Sequence, residues 1–130
     1  MFSSSYITDL SKIESELAEI QTFLELPSPS DNPASLTKRL EILSQHMARS
    51  GKLKSDAEYH YNTVLSSSII EALKTASKLS PSTLNKYIES LCKDYKQIVS
   101  WAERANRTAT HQCENLRTLI SYAKSEMSLR

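Results

Sequence analysis

The chain of 130 residues has one glycine, Gly51, and four prolines, Pro27, Pro29, Pro33 and Pro81. A sheet protein of this length needs more turn residues than that, so the scarcity of breakers points to a few long helices. Apolar residues make up 39% of the chain, a low share for a thick core. Thin amphipathic helices that each bury one stripe account for it without disorder. No stretch approaches the run of about 20 apolar residues that a membrane span requires. The first residues, Met-Phe-Ser-Ser-Ser-Tyr, lack the basic start and apolar run of a signal peptide. The two cysteines, Cys92 and Cys113, fall on one predicted helix. At 1.5 Å per residue they stand about 30 Å apart, too far for a disulfide. Neither has a second cysteine beside it for a zinc site, so reduced thiols in a cytoplasmic protein are expected.

Catalytic signatures are also missing. There is no P-loop, Rossmann turn, nucleophile elbow or HExxH. Asp56 and Glu58, two residues apart, do not share a helix face. His46, His60 and His111 do not fall within one helical turn of each other, and His46 with Cys113 across the bundle gives only two ligands. The expectation is a non-enzyme with no cofactor and no metal. The sequon Asn106-Arg107-Thr108 lies mid-helix in a chain without export signals and is read as chance.

What the sequence does have is an apolar heptad from Leu84 to Glu126. Its positions are Leu84, Ile88, Leu91, Tyr95, Ile98, Ala102, Ala105, Ala109, Gln112, Leu116, Leu119, Ala123 and Glu126, with only Gln112 and Glu126 out of pattern. Such a run is a long helix burying a narrow seam against other helices. A first helix is expected over about 6–26, capped by Ser5, with Asp9 in its first turn. Its buried stripe is Ile7, Leu10, Ile13, Leu17, Ile20 and Leu24. A linker around Pro27 and Pro29 ends it, and Asn32 followed by Pro33 reads as the start of the second helix. The second helix runs over about 33–78. Its stripe of Leu36, Leu40, Leu43 and Met47 loosens at Ser50, Gly51, Lys52 and Lys54, then resumes through Ala57, Tyr61, Val64, Leu65, Ile69 and Leu73. A single glycine costs only about 1 kcal/mol in a helix, so continuation through Gly51 is expected. Ser80-Pro81 opens the third helix, over about 81–128. The short turn makes the last two helices an antiparallel hairpin that pairs residue i with about 159 − i. The predicted fold is all-α, one elongated domain over 1–130, with a short first helix packed on one half of a long hairpin as a coiled-coil-like bundle.

In that arrangement the hairpin end around Ser80 has only two helices. They cannot cover Val64, Ile69, Leu73, Ile88, Leu91 and Tyr95, and exposed apolar strips of that size mark interfaces. Self-association into a four-helix bundle is the economical solution, and a partner helix from another protein solves the same problem.

Charge is near balance overall but uneven. Residues 1–32 carry six carboxylates against Lys12, a net −5, which leaves +6 on the rest. One reading is that the acidic first helix neutralises its neighbours within the fold. The other is a basic surface for anions. Midway along the hairpin, Ala102, Ala105 and Ala109 face Ala48, Ser50 and Gly51. Around this waist gather Lys52, Lys54, Tyr59, Tyr61, Trp101, Arg104, Arg107 and His111. One reading is a tight helix crossing with surface pairs such as Glu103 with Arg107, and His111 beside Gln112 as a polar pin in the seam. The other is a ligand site in which Lys52, Arg104 and Arg107 meet phosphate while Trp101, Tyr59 or Tyr61 stacks on a base.

The stretches Met47–Tyr61 (MARSGKLKSDAEYHY) and Thr110–Tyr122 (THQCENLRTLISY) resemble segments of small helical proteins encoded by bacteriophages and prophages. The resemblance implies an accessory protein, either a helper of DNA metabolism or an inhibitor of host defence. Some helical inhibitors of that kind are oligomers that sequester nucleotide signals. The functional expectation is an oligomeric binding protein for a nucleotide or nucleic acid, with a protein-interaction module or inhibitor as the alternative.

Overall fold

A computed structural model describes residues 6–27, 32–75 and 78–129. Three helices occupy them: α1 (Leu10–Leu24), α2 (Pro33–Thr75) and α3 (Pro81–Ser128). The described residues are 91% helical and contain no strand. At 1.5 Å per residue, α2 and α3 run for about 64 and 72 Å and α1 for only about 22 Å. The two long helices form the antiparallel hairpin, and α1 packs on its half distant from the turn.

Local chemistry explains the boundaries. The Asn32 side-chain oxygen accepts the Ala34 N–H at 2.9 Å, with Pro33 as the first helical residue. Ser80 caps α3 through the Thr83 N–H at 3.3 Å, ahead of Pro81. The first helix is shorter than expected, because Tyr6–Asp9 is not α-helical and Asp9 is extended, with φ −61° and ψ 147°. The expected Ser5 cap lies outside the described residues. α2 ends at Thr75, and Lys78 sits in the turn rather than in the helix.

Ile13, Leu17, Ile20 and Leu24 of α1 are buried against Leu36, Leu43, Leu53 and Ala57 of α2 and against α3 from Ile98 to Ile120. α2 passes through Gly51 without a break. Its seam does not lapse there, since Ser50 and Leu53 are both fully buried. Along α3 from Ile98 onward the buried positions are Ile98, Ala102, Ala105, Ala109, Cys113, Leu116 and Ile120. That spacing repeats every 11 residues rather than every seven, so Cys113 and Ile120 replace the expected Gln112 and Leu119. The reason is geometric. An α-helix of 3.6 residues per turn drifts by about 20° per heptad, and an 11-residue repeat follows it more closely.

The hairpin crossing at the waist is tight. Asn106 Nδ2 donates to the Met47 carbonyl at 2.8 Å and to Ser50 Oγ at 3.1 Å. Asn106, rather than the expected Thr108, meets Gly51, and Ala48 is exposed. A Cβ on Gly51 would lie 3.6 Å from Asn106 Nδ2, an ordinary contact. Gly51→Ala is therefore expected to stabilise the protein by about 0.5–1 kcal/mol through helix propensity. Gly51→Leu is expected to destabilise it by wedging the crossing. Thermal melts followed by circular dichroism at 222 nm check both signs.

Candidate functional site

The waist side chains fall into separate places around the bundle. Arg49, Lys52, Asp56 and His60 recur every three or four residues on α2 and so form one stripe. They clasp the segment Tyr6–Asp9. Lys52 Nζ donates to the Tyr6 carbonyl and to Asp56 Oδ1, each at 2.6 Å. Asp56 Oδ2 accepts the Thr8 N–H at 3.0 Å and the Thr8 hydroxyl at 2.7 Å. His60 Nε2 donates to the Thr8 carbonyl at 2.8 Å. Arg49 holds Glu16 through Nε at 2.9 Å and Nη2 at 2.7 Å, and also reaches Thr8 Oγ1. This is why α1 does not begin at residue 6: Asp56 draws the Thr8 N–H and hydroxyl across α2, which leaves the strap outside the helix.

Asp56 is 1% exposed. Burial pushes its carboxyl up, but hydrogen bonds from Lys52 and Thr8, with the Lys52 charge, outweigh that and hold it below its ordinary 3.8. The hydrogen bond from Arg49 holds Glu16 below its ordinary 4.5. Two further contacts close the other end of α1. Arg39, nearly buried, donates to the Leu26 carbonyl at 2.9 Å and lies over the Phe23 ring at 4.7 Å. Gln112 donates to the Leu24 carbonyl at 3.0 Å. Gln112 thus ties α1 to α3. The neighbouring His111 is exposed, 3.7 Å from Glu114, and is not a buried pin in the seam.

The other expected ligand residues divide as follows. Lys54 stands 3.8 Å from Glu58, and Arg107 pairs with Glu103 at 2.8 Å. Tyr59 is half exposed, with its ring edge-on to His60. Trp101 and Arg104 share a cleft of about 610 Å³ between α1 and α3 with Glu14, Asp94 and Ile98, and Trp101 Nε1 donates to Gln21 Oε1 at 3.2 Å. Tyr61 lies elsewhere, in a groove of about 570 Å³ on the turn-end half. There α3 contributes Lys86, Glu89, Lys93 and Lys96. None of these lysines is in an ion pair within the described residues. They lay outside the sequence-based cluster, although their spacing of 7 and 3 residues is a helical-face signal visible in the sequence.

The apolar residues expected to form one interface strip also separate. Ile69 and Leu73, 8 and 12 residues after Tyr61, are turned from it by about 80° and 120° around α2 and do not line the lysine groove. Leu91 lies seven residues before Ile98, in line with the side that α1 covers. Val64, Ile88 and Tyr95 are half-buried between these two rows. Among the described residues no three potential metal ligands converge, and no helix is long and apolar enough to cross a membrane.

Removing the buried partner of a clasp should be costly. Asp56→Ala is expected to lower stability by about 2–3 kcal/mol and Thr8→Val by about 1 kcal/mol. Asp56 and Glu16 have depressed folded values, so their contributions are complete above their unfolded values, 3.8 and 4.5, and are lost as pH falls through the folded ones. Chemical denaturation between about pH 5 and pH 2 should show wild-type stability falling, with a flatter slope in Asp56→Asn.

No family model, curated protein or solved structure matches this chain.

Proposed function

We propose that this is a non-catalytic helical binding protein that takes a phosphate-bearing ligand, a nucleotide or single-stranded nucleic acid, in the groove between Tyr61 and the lysine face of α3. The observation that carries this reading is the convergence of Lys86, Lys93 and Lys96 with Tyr61 in one groove, with no ion pair to neutralise the lysines. Unpaired lysines along a groove attract a phosphate backbone, and an aromatic ring stacks on any base. From Lys86 to Ser100 the groove runs for about 21 Å at 1.5 Å per residue. The waist is less suited to the task. Lys52 holds the strap, and Lys54 and Arg107 face carboxylates. Trp101 with Arg104 in the α1–α3 cleft is a further aromatic and cationic pair open to a base and phosphate. Sequestration of a nucleotide signal by a phage-encoded protein is the specific form of this reading that the sequence resemblance implies.

A protein-interaction reading has its own support. Ile69 and Leu73, 40% and 62% exposed, stand on the same half of the hairpin as the lysine groove. A basic groove with exposed apolar residues on the same half fits an acidic amphipathic helix.

The two readings separate in one titration. A labelled single-stranded oligonucleotide should bind wild type, with the logarithm of the affinity falling by about 2 per decade of salt for three neutralised phosphates. Lys93→Glu/Lys96→Glu should weaken binding more than tenfold, and Tyr61→Ala should cost about 1–3 kcal/mol. If neither the oligonucleotide nor mono- and cyclic dinucleotides bind, the phosphate reading fails. If binding persists in the lysine double variant but fails in Trp101→Ala/Arg104→Ala, the ligand belongs in the α1–α3 cleft.

A further inference from the structure

We infer that the face of α3 opposite the lysine groove docks a second copy of this chain, antiparallel and about a two-fold axis near Ile88. The shape of the uncovered surface leads there. α1 lies along the side of the hairpin where α3 presents Ile98 and Trp101, and it stops at Leu10. Beyond it the same row of α3 continues through exposed Leu91 and Tyr87 to half-buried Leu84. Leu91 and Tyr87 are each 39% exposed. From Ile98 to the start of α3 this run measures about 25 Å at 1.5 Å per residue.

The two ends of the run carry opposite charge. At the step where α1 begins, Glu14, Asp94 and Arg104 line the cleft beside Ile98 and Trp101, two carboxylates against one cation. Neither carboxylate is in an ion pair within the described residues. At the other end, Lys74 and Lys78 stand at the hairpin turn next to Leu79, which is 46% exposed. Glu71 lies between the ends on α2. A run with exposed apolar residues, net positive charge at one end and net negative charge at the other is complementary to itself under a two-fold rotation, which is the requirement for an isologous dimer. Rotation about an axis near Ile88 brings the turn of each copy to the step of the other. Leu79 then enters the cleft over Ile98 and Trp101, while Lys74 and Lys78 approach Glu14 and Asp94. The four turn-end helices become a four-helix bundle, the stable form of an exposed helix pair. An unrelated partner helix would match the apolar floor but has no reason to repeat the spacing between the charged ends. Both lysine grooves face outward in this dimer, so the association stands or falls independently of ligand binding there, whereas a ligand in the α1–α3 cleft would compete with Leu79.

The test is sedimentation equilibrium of the full chain with helicity checked in parallel. Wild type should have twice the chain mass at micromolar concentration, and Leu91→Asp should be monomeric with unchanged helicity. Glu14→Lys/Asp94→Lys makes both ends positive, and Lys74→Glu/Lys78→Glu makes both negative. Each set alone should weaken self-association at least tenfold. An equimolar mixture of the two sets should recover a heterodimer, because only unlike chains then bring opposite charges together. A monomeric wild type at 100-fold higher concentration overturns the proposal. A dimer that survives Leu91→Asp but is lost in Ile69→Asp/Leu73→Asp also overturns it, since the copies would then meet through the other face. A mixture that fails to associate while wild type is dimeric overturns the antiparallel arrangement.

Discussion

The three helices have unequal lengths, and most features of the molecule descend from that. α1 has 15 residues against 43 and 48 in the hairpin arms. Where α1 reaches, three apolar stripes close on each other and Ile13, Leu17 and Leu43 are completely buried. Where it does not reach, two helices must manage alone. The turn-end half solves this with small side chains: among the described residues, Ser68, Ala72 and Cys92 are the buried ones there. Small residues let the helices approach closely, and Cys92 Sγ lies 3.9 Å from Ser68 Oγ. The larger side chains flank this seam on either side. A hairpin is too thin to hide them, so Ile69, Leu73, Tyr87 and Leu91 become surface.

Polar groups decide how the short helix is held. Its apolar stripe would permit sliding along the hairpin groove, because apolar burial is not directional. Fixed hydrogen bonds remove that freedom at both ends. Arg39 and Gln112 take the carbonyls at its C-terminal end, and Asp56, His60 and Lys52 take the strap at its start. Among the described residues, no buried side-chain nitrogen or oxygen lacks a partner. This matters because an unpartnered buried polar group costs several times what a satisfied one contributes.

The same economy shapes the candidate sites. Two cations beside the acidic α1 and its strap are engaged, Arg49 with Glu16 and Lys52 with Asp56. Cations on the far side of the turn-end half have no acidic helix beside them. The uneven charge therefore acts differently in the two halves of the hairpin. It neutralises within the three-helix half and leaves Lys86, Lys93 and Lys96 facing a groove.

Periodicity and breakers by themselves determined the all-α class, the three helices, the turn at Ser80-Pro81, the passage of α2 through Gly51 and the core stripe from Ile13 to Leu24. These depend on local propensity and on spacing along one chain, which a sequence displays directly. Tertiary structure decided what depends on rotation between helices. A drift of about 20° per heptad moved burial from Gln112 to Cys113 and from Leu119 to Ile120, while residues adjacent in sequence, Lys93 and Asp94, opened onto different grooves. The strap at Thr8 rests on a contact with Asp56, 48 residues away, which no local pattern encodes. Tyr61 fell on the turn-end half, and the other seven waist residues shared a level along the hairpin but not a direction around it, because each step along a helix turns the side chain by about 100°. Their level was legible in the sequence, and only the packing of α1 against the hairpin settled which of them meet.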